Sequence, residues 1–306
     1  MKYDVLALGD YYLDLIFTDL EGEPELSREV FSRNFFMLPG GLYNAVATMH
    51  RLQVNVAWAA NFGNDEFSRY VKEKALDEGL DPACFLSEDR PYRKITVSAS
   101  FKGDREFISF SDPDRMDLGY LRKVLDVSCR VLFIGGLYSG GLLRLARQYF
   151  GRRGTVLIMD GNSSNGTLKD KRIAGSLKLV DIFLPNACEA RRLTGMQEIE
   201  SCLRCLGELT DLVVIKDGAN GSYAIQGGRI HHVAGIPLKK CIDTTGAGDC
   251  FDAGFIRAWL DGREMDDCLS WGNVVGGLST QGFGGCGYPI NPSTVQKALK
   301  KYYGKK

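Results

Sequence analysis

Six short apolar runs punctuate the chain: Val5–Leu8, Val56–Ala60, Val131–Ile134, Val156–Met159, Ile182–Leu184 and Val213–Ile215. Runs of this length without polar alternation predict strands buried on both faces. Between them, apolar residues recur at helical spacing, as in Leu42, Ala45, Val46 and Met49, in Leu203, Leu206 and Leu209, and in Phe251, Phe255, Ala258 and Trp259. The alternation predicts an α/β fold around a largely parallel sheet. Two stretches, 11–38 and 92–111, break this rhythm. Ile95, Val97, Ala99 and Phe101 stand at period two, as do Phe107 and Ser109 beyond the turn Lys102-Gly103-Asp104, which predicts a small separate sheet. Lying beside segments that carry candidate chemistry, it is expected to form a lid over a pocket. The expected division is therefore a core of 1–10, 39–91 and 112–306 with a β lid of 11–38 and 92–111.

Composition narrows the partners. The 38 Lys and Arg balance 38 Asp and Glu, and the basic pairs are scattered, so no nucleic-acid surface is expected. The 36 glycines, about 12% of 306 residues, exceed the usual ~7% and suggest tight turns and close approach of backbone to a small-molecule ligand. Nine cysteines follow a start, Met1-Lys2-Tyr3-Asp4, without an apolar leader, so a reducing cytoplasm without disulfides is expected. Cys202 and Cys205 form one isolated C-x-x-C pair within a helical pattern, which favours two helix residues over zinc ligands. The uncharged stretches 131–143 and 271–296 are respectively too short and too broken by glycine and proline to span a membrane. Sequons at Asn162, Asn165 and Asn220 carry no meaning without secretion.

The strongest chemical signal is Asp243-Thr-Thr-Gly246-Ala247-Gly248-Asp249, which runs directly into the apolar-periodic stretch from Cys250. Small residues where a chain enters a helix let backbone N–H groups point at an anion. Asp249 then falls in the first helical turn, where it either takes a proton from a hydroxyl or simply complements the helix dipole. A carboxylate in that position is expected to stay ionised, with a pKa near or below the reference ~3.9.

This heptad resembles the C-terminal D-T-x-G-A-G-D signature of the ribokinase-like PfkB family of carbohydrate and nucleoside kinases, and further family motifs recur in order along nearly the whole chain. The resemblance implies a three-layer α/β/α domain with a mostly parallel central sheet and a small β-sheet lid. It implies an ATP-dependent kinase using Mg2+, with Asp249 as catalytic base and Gly246, Ala247 and Gly248 around the transferring phosphoryl group. Pro39-Gly40-Gly41-Leu-Tyr-Asn44 looks like the G-G-x-x-x-N segment, which places Gly40, Gly41 and Asn44 at the substrate. Asp14, after Gly9-Asp10 at the end of the first strand, would bind sugar hydroxyls, as a carboxylate does well.

Asn186-Ala-Cys-Glu189 is similar to the family's N-x-x-E, associated with Mg2+ and phosphate. Its spacing also fits a helix capping pair. Lys216-Asp217-Gly218-Ala-Asn-Gly221 resembles the nucleotide-contacting T-L-G-x-x-G, with Lys216 and Asp217 replacing Thr-Leu, so that Lys216 either reaches a phosphate or is solvated. Gly63-Asn64-Asp65 resembles G-x-D-x-x-G, with Ser68 at the last glycine, a change read as tolerated. Gly282-Phe-Gly-Gly-Cys-Gly287 formally satisfies the dinucleotide fingerprint, but Pro289 and Pro292 prevent the helix that fingerprint must open. A dehydrogenase would rest on these glycines alone. The resemblance places Gly282 and Asn273 around adenine and ribose instead, and no Walker-type loop is present.

The family also implies a monovalent cation, K+, near Asp243, and pairing through the lid into a homodimer. Family members that act on phosphosugars tend to carry Lys within the G-G segment. Leu42-Tyr43 offers none, which favours an unphosphorylated sugar, although Arg93, Arg105 or Arg115 in or near the lid could supply a cation. A nucleoside kinase is the nearest rival, with Phe35, Phe36, Tyr92, Phe101 and Phe107 available for stacking or for core packing. A non-catalytic sugar-binding regulator on the same fold is the alternative from another class.

Overall fold

The computed structural model describes residues 2–101, 104–113, 121–161 and 166–305. Lys102, Gly103, Arg115 and Asn162 to Asn165 lie outside the described residues, as do the side chains of Phe101 and Arg105. A nine-stranded sheet forms the centre. In chain order its strands are β1 (Tyr3–Leu8), β4 (Val56–Phe62), β5 (Phe85–Ser87), β8 (Cys129–Ile134), β9 (Val156–Asp160), β10 (Ile182–Leu184), β11 (Leu212–Lys216), β12 (Ser222–Gln226) and β13 (Arg229–Val233). In space they run β13-β12-β11-β10-β9-β8-β1-β4-β5. All neighbouring pairs are parallel except β11–β12 and β12–β13, which are antiparallel at one edge.

The apolar runs are continuous because both faces of this sheet are covered. Val5 and Ala7 of β1 pack into one cluster with the helices α1 (Leu42–Arg51), α7 (Ala247–Leu260), α8 (Met265–Ser279) and α9 (Pro292–Tyr303). Leu6 and Leu8 point the other way, into a second cluster with α3 (Gly141–Tyr149), α4 (Lys171–Leu177), α5 (Ala187–Thr194) and α6 (Ile199–Gly207). Helix α2 (Glu66–Asp77) joins the first cluster through Val71 and Ala75. The result is the expected three-layer α/β/α arrangement. Cys202 and Cys205 sit together on α6, and no described helix is long and apolar enough to cross a membrane.

The period-two stretches form a second sheet of four strands, ordered β3 (Ser32–Gly41), β2 (Tyr11–Leu20), β6 (Lys94–Phe101) and β7 (Asp104–Ser111). Strand β3 runs through Gly40 and Gly41 straight into α1, so the glycine pair is a strand end as well as a helix start. The register aligns Leu38, Asp14, Thr96 and Ser109 in one row across one face. That face meets the core: Phe36 stacks on Phe283 at 4.3 Å between ring centroids. The opposite face presents Phe35, Met37, Ile108 and Phe110 to solvent.

Ser68, at the position where the related motif has glycine, is fully buried on α2. Its Oγ meets the Tyr11 hydroxyl at 2.6 Å, donates to Asp65 Oδ2 at 2.9 Å and accepts from the Gly63 N–H at 2.8 Å. The hydroxyl thus ties β2 to the loop before α2, which is more than a tolerated replacement.

Candidate active site

The site lies at the C-terminal ends of the parallel strands, where α7 begins. Gly246, at φ 68°, is the N-cap of α7, and a left-handed residue there turns the chain so that the first helical turn faces the sheet edge. The Ala247 N–H closes this turn on the Thr244 carbonyl at 3.2 Å. Among the described residues, no bond takes the N–H of Gly246 or Gly248, so those two amides, rather than all three, are open to an anion. Asp249 stands in this turn, half-buried, and accepts one long hydrogen bond, 3.4 Å from Asn44 Nδ2.

Asp249 does not keep the low pKa that its helix position suggests. Burial, followed by the charge of Asp160, pushes it up to about 7 against the pull of Lys216 and Asn44. Desolvation outweighs the dipole of one helix end. At that value Asp249 is poised for proton transfer near neutral pH.

Asn44 is 1% exposed, packed between the Gly246 turn and the Gly285 backbone. Its helix α1 starts at Gly41, at φ 63°, where a Cβ would stand 2.9 Å from the Asp10 carbonyl and from the Tyr12 N–H nitrogen. At Gly40 a Cβ would overlap the Asp14 carboxylate, so the glycine is what gives that carboxylate room. Asp14 is 7% exposed, and no hydrogen bond or ion pair among the described residues reaches it. Burial first, then the charge of Asp243, raises it to about 7. A buried, unpartnered carboxylate is costly unless something else supplies its hydrogen bonds.

Beside Asp14 lies a cavity of about 440 Å³, lined by Tyr12, Thr96 and Ser109 of the small sheet and by Gly135 to Tyr138 after β8. Thr96 and Ser109 hold each other at 3.1 Å. None of the residues lining it is charged. Lys94, on the same sheet, is committed to Asp10 at 2.9 Å, and Arg93 to Asp112 at 2.9 Å. Tyr92 is fully buried with its hydroxyl on Asp10, so it packs rather than stacks on a ligand.

Lys216 is neither solvated nor free. It is 8% exposed at the end of β11, and its Nζ lies 2.9 Å from Asp160 Oδ1 and 3.0 and 3.1 Å from the two oxygens of Asp252. Asn186 and Glu189 form the capping box of α5: Asn186 Oδ1 accepts from the Glu189 N–H and Glu189 Oε2 accepts from the Asn186 N–H. Glu189 also faces Gly161, next to Asp160. Asp243 is buried, with Oδ1 accepting from the Thr245 N–H and Oδ2 from the Gly284 N–H, each at 2.8 Å, and so fastens the glycine-rich loop to the heptad.

The residues expected on the nucleotide side form a separate group. Gly221, at φ 96°, packs against the end of β13, and Asn273 Nδ2 donates to the carbonyls of Val233 and Ala234 at 3.0 and 3.3 Å. Gly218 is exposed in the turn before them. Gly282 closes its loop against Gly287 and Tyr288, and the next helix starts only at Pro292, so the glycine pattern opens no helix.

Asp160, Asp252, Lys94, Thr96 and Ser109 were not singled out from the sequence. Only Asp160 carries a usable signal, a carboxylate closing an apolar strand at the ligand-bearing sheet edge.

Comparison with known proteins decides the family. The profile of the pfkB family carbohydrate kinases matches residues 2–291. The chain belongs to this family. It is 34% identical over 249 residues to an uncharacterized sugar kinase of Archaeoglobus fulgidus, covering 77% of this chain and 95% of that one. It is 30% identical over 287 residues to a cytidine kinase of Thermococcus kodakarensis, covering 88% and 93%. Its fold overlays Arabidopsis thaliana ribokinase complexed with ribose and ATP, with a TM-score of 0.81 at 22% identity over 98% and 99% of the two chains. The pfkB carbohydrate kinases are transferases, and the heptad, the glycine pair and the N-x-x-E segment of this chain are the motifs by which it resembles them.

Proposed function

We propose that this carbohydrate kinase transfers the γ-phosphate of ATP to a hydroxyl of an unphosphorylated sugar or sugar derivative, with Asp249 as the base. The observation that carries the reading is a pair of carboxylates facing the same sheet edge, Asp14 buried and Asp249 half-buried. Among the described residues the first has no hydrogen-bond or ion-pair partner and the second has a single long one. Acceptor hydroxyls would supply what both lack, bound at Asp14 and deprotonated at Asp249.

In this reading the small sheet closes as a lid and the acceptor lies between Asp14, Gly40, Gly41 and Asn44. The Gly246 and Gly248 amides face the charge that develops on the transferring group. Gly218, Gly221, Asn273 and Gly282 border the nucleotide. No three metal-ligating side chains converge among the described residues. That fits an ion carried mainly by phosphate and water, with Asn186 and Glu189 beyond the water shell. Mg2+ supplies charge neutralisation on the phosphates. Asp243 is the candidate for a nearby K+. The uncharged cavity lining favours a neutral acceptor, and the apolar outer face of the lid is the candidate homodimer contact.

A nucleoside acceptor is the second reading. Tyr12 and Tyr138 both line the cavity of about 440 Å³, which supplies aromatic surface for a base. A panel of pentoses, hexoses, ketoses, sugar acids, inositols and nucleosides, incubated with MgATP and read by product mass, separates the two. Asp249→Asn is expected to lower kcat by about 10²–10⁴ on the active acceptor. A loss below about tenfold would remove Asp249 as the base.

A further inference from the structure

Asp160, Lys216 and Asp252 come from three elements, the ends of β9 and β11 and the second turn of α7, yet form one buried ion triad. All three are at most 8% exposed. The two Nζ contacts to Asp252 are bidentate, which with Asp160 accounts for the donors of one ammonium. The triad bolts the start of α7 to the sheet edge. It also sets the ammonium against the anion-facing turn, since a Cβ at Gly248 would have Lys216 Nζ as its nearest neighbour, at 3.7 Å.

We propose that Lys216 is a positioning residue for phosphoryl transfer: clamped by Asp160 and Asp252, it holds a fixed cation behind Gly248 and Asp249 and sets the charge state of Asp249. This rests on Asp249 being the base. Lys216 acts through that carboxylate and the helix turn, not as a phosphate ligand, because its donors are already taken.

Among the described residues, the charged and titratable groups acting on Asp249 or on its cation are Asp14 from β2, Asp160 from β9, Lys216 from β11, Asp252 and Cys250 from α7, Cys286 from the glycine loop and, through Lys216, Glu189 from α5. Among these, Lys216 is the only cation. Burial pulls its pKa down, but Asp160, Asp252 and Glu189 more than reverse this, so it stays charged. Asp160 and Lys216 act on Asp249 with opposite sign. That opposition gives a signature that mere structural support would not.

The test is the acid limb of kcat/KM against pH, together with direct ¹³C NMR titration of the Asp249 carboxyl, assigned by its absence in Asp249→Asn. Lys216→Met should move both upward by about one pH unit, Asp160→Asn should move both downward by a similar amount, and Lys216→Arg should stay near wild type. If Lys216→Met does not fold, Lys216→Gln removes the cation while keeping a donor for the two carboxylates, with the same upward shift expected. Displacement of both variants in one direction, or of neither, would overturn the proposal. The NMR arm needs no acceptor. If Asp249→Asn remains active while the opposed shifts appear, the base assignment fails and the electrostatic role stands.

Discussion

The two sheets of this molecule are opposites in how they use their faces. The nine-stranded sheet is covered on both, so only its C-terminal edge is left for chemistry, and there Lys216 is wedged between Asp160, Asp252 and the Gly248 turn. The four-stranded sheet is covered on its inner face and, on its outer face, only around Tyr11 and Leu13. It offers a row of hydroxyls and one carboxylate inward, and apolar side chains outward. The difference assigns labour: the edge of the large sheet should govern the chemical step, and the inner face of the small sheet should govern which acceptor is held. Substitutions at the first should lower kcat, and at the second should raise KM.

The sharpest break in that division is expected at Gly285. A Cβ there would stand 2.6 Å from Asn44 Oδ1, and Asn44, enclosed on all sides, has nowhere to retreat without moving the amide that holds Asp249. Gly285→Ala should lower kcat by about a hundredfold, the cost of displacing by an ångström or so the residue that holds the proposed base, with a smaller rise in KM because Asn44 also borders the proposed acceptor site. Gly248→Ala is the internal control. Its Cβ would meet nothing closer than 3.7 Å, so steady-state kinetics should show a much smaller loss.

The contrast also explains what could be read from the sequence. Val5–Leu8 and its counterparts announced the large sheet because two-sided burial leaves no polar position in a strand. Ile95, Val97 and Ala99 announced the small sheet by their period of two, although they stand on its outer face with Phe110 and Ile108, while the buried positions between them are the polar Lys94 and Ser98. The heptad and the glycine pair were visible because backbone geometry confines them to a few contiguous residues. The Asp160–Lys216–Asp252 triad was not, because its members are separated by 56 and 36 positions and meet only through the order of strands β9, β10 and β11. The pKa of Asp249 was misjudged for a related reason: a helix N-terminus is a local feature, whereas burial and the charge of Asp160 belong to the assembled fold.

Asp14 tests the small sheet's side of the division. If Asp14 holds the acceptor as proposed, Asp14→Asn removes charge-assisted hydrogen bonds to it, so KM should rise roughly tenfold to a hundredfold with kcat little changed. Stability should move the other way. Folding raises the Asp14 pKa from its ordinary 3.8 to about 7, so the folded state holds the proton more tightly than the unfolded one. That contribution is fully present below pH 4 and is lost as pH climbs through 7. Asparagine escapes this loss. At pH 8 urea denaturation should find Asp14→Asn more stable than the parent by roughly 1–4 kcal/mol, with the difference fading toward pH 4.

The smallest effect is expected one strand further out. Thr96 and Ser109 share the row of Asp14 but are neutral and already bonded to each other at 3.1 Å, so on the proposed reading each would give the acceptor only one neutral hydrogen bond. Net contributions of that kind are about 0.5–1.5 kcal/mol, and Thr96→Ala or Ser109→Ala should raise KM by about threefold and leave kcat unchanged. Measured across the acceptor panel, the rise should be confined to acceptors whose hydroxyls or base edges extend past Asp14 into the cavity. An equal rise for every acceptor would mean that the row shapes the lid rather than reads the substrate. A fall in kcat would mean that the two sheets do not divide the work as their burial suggests.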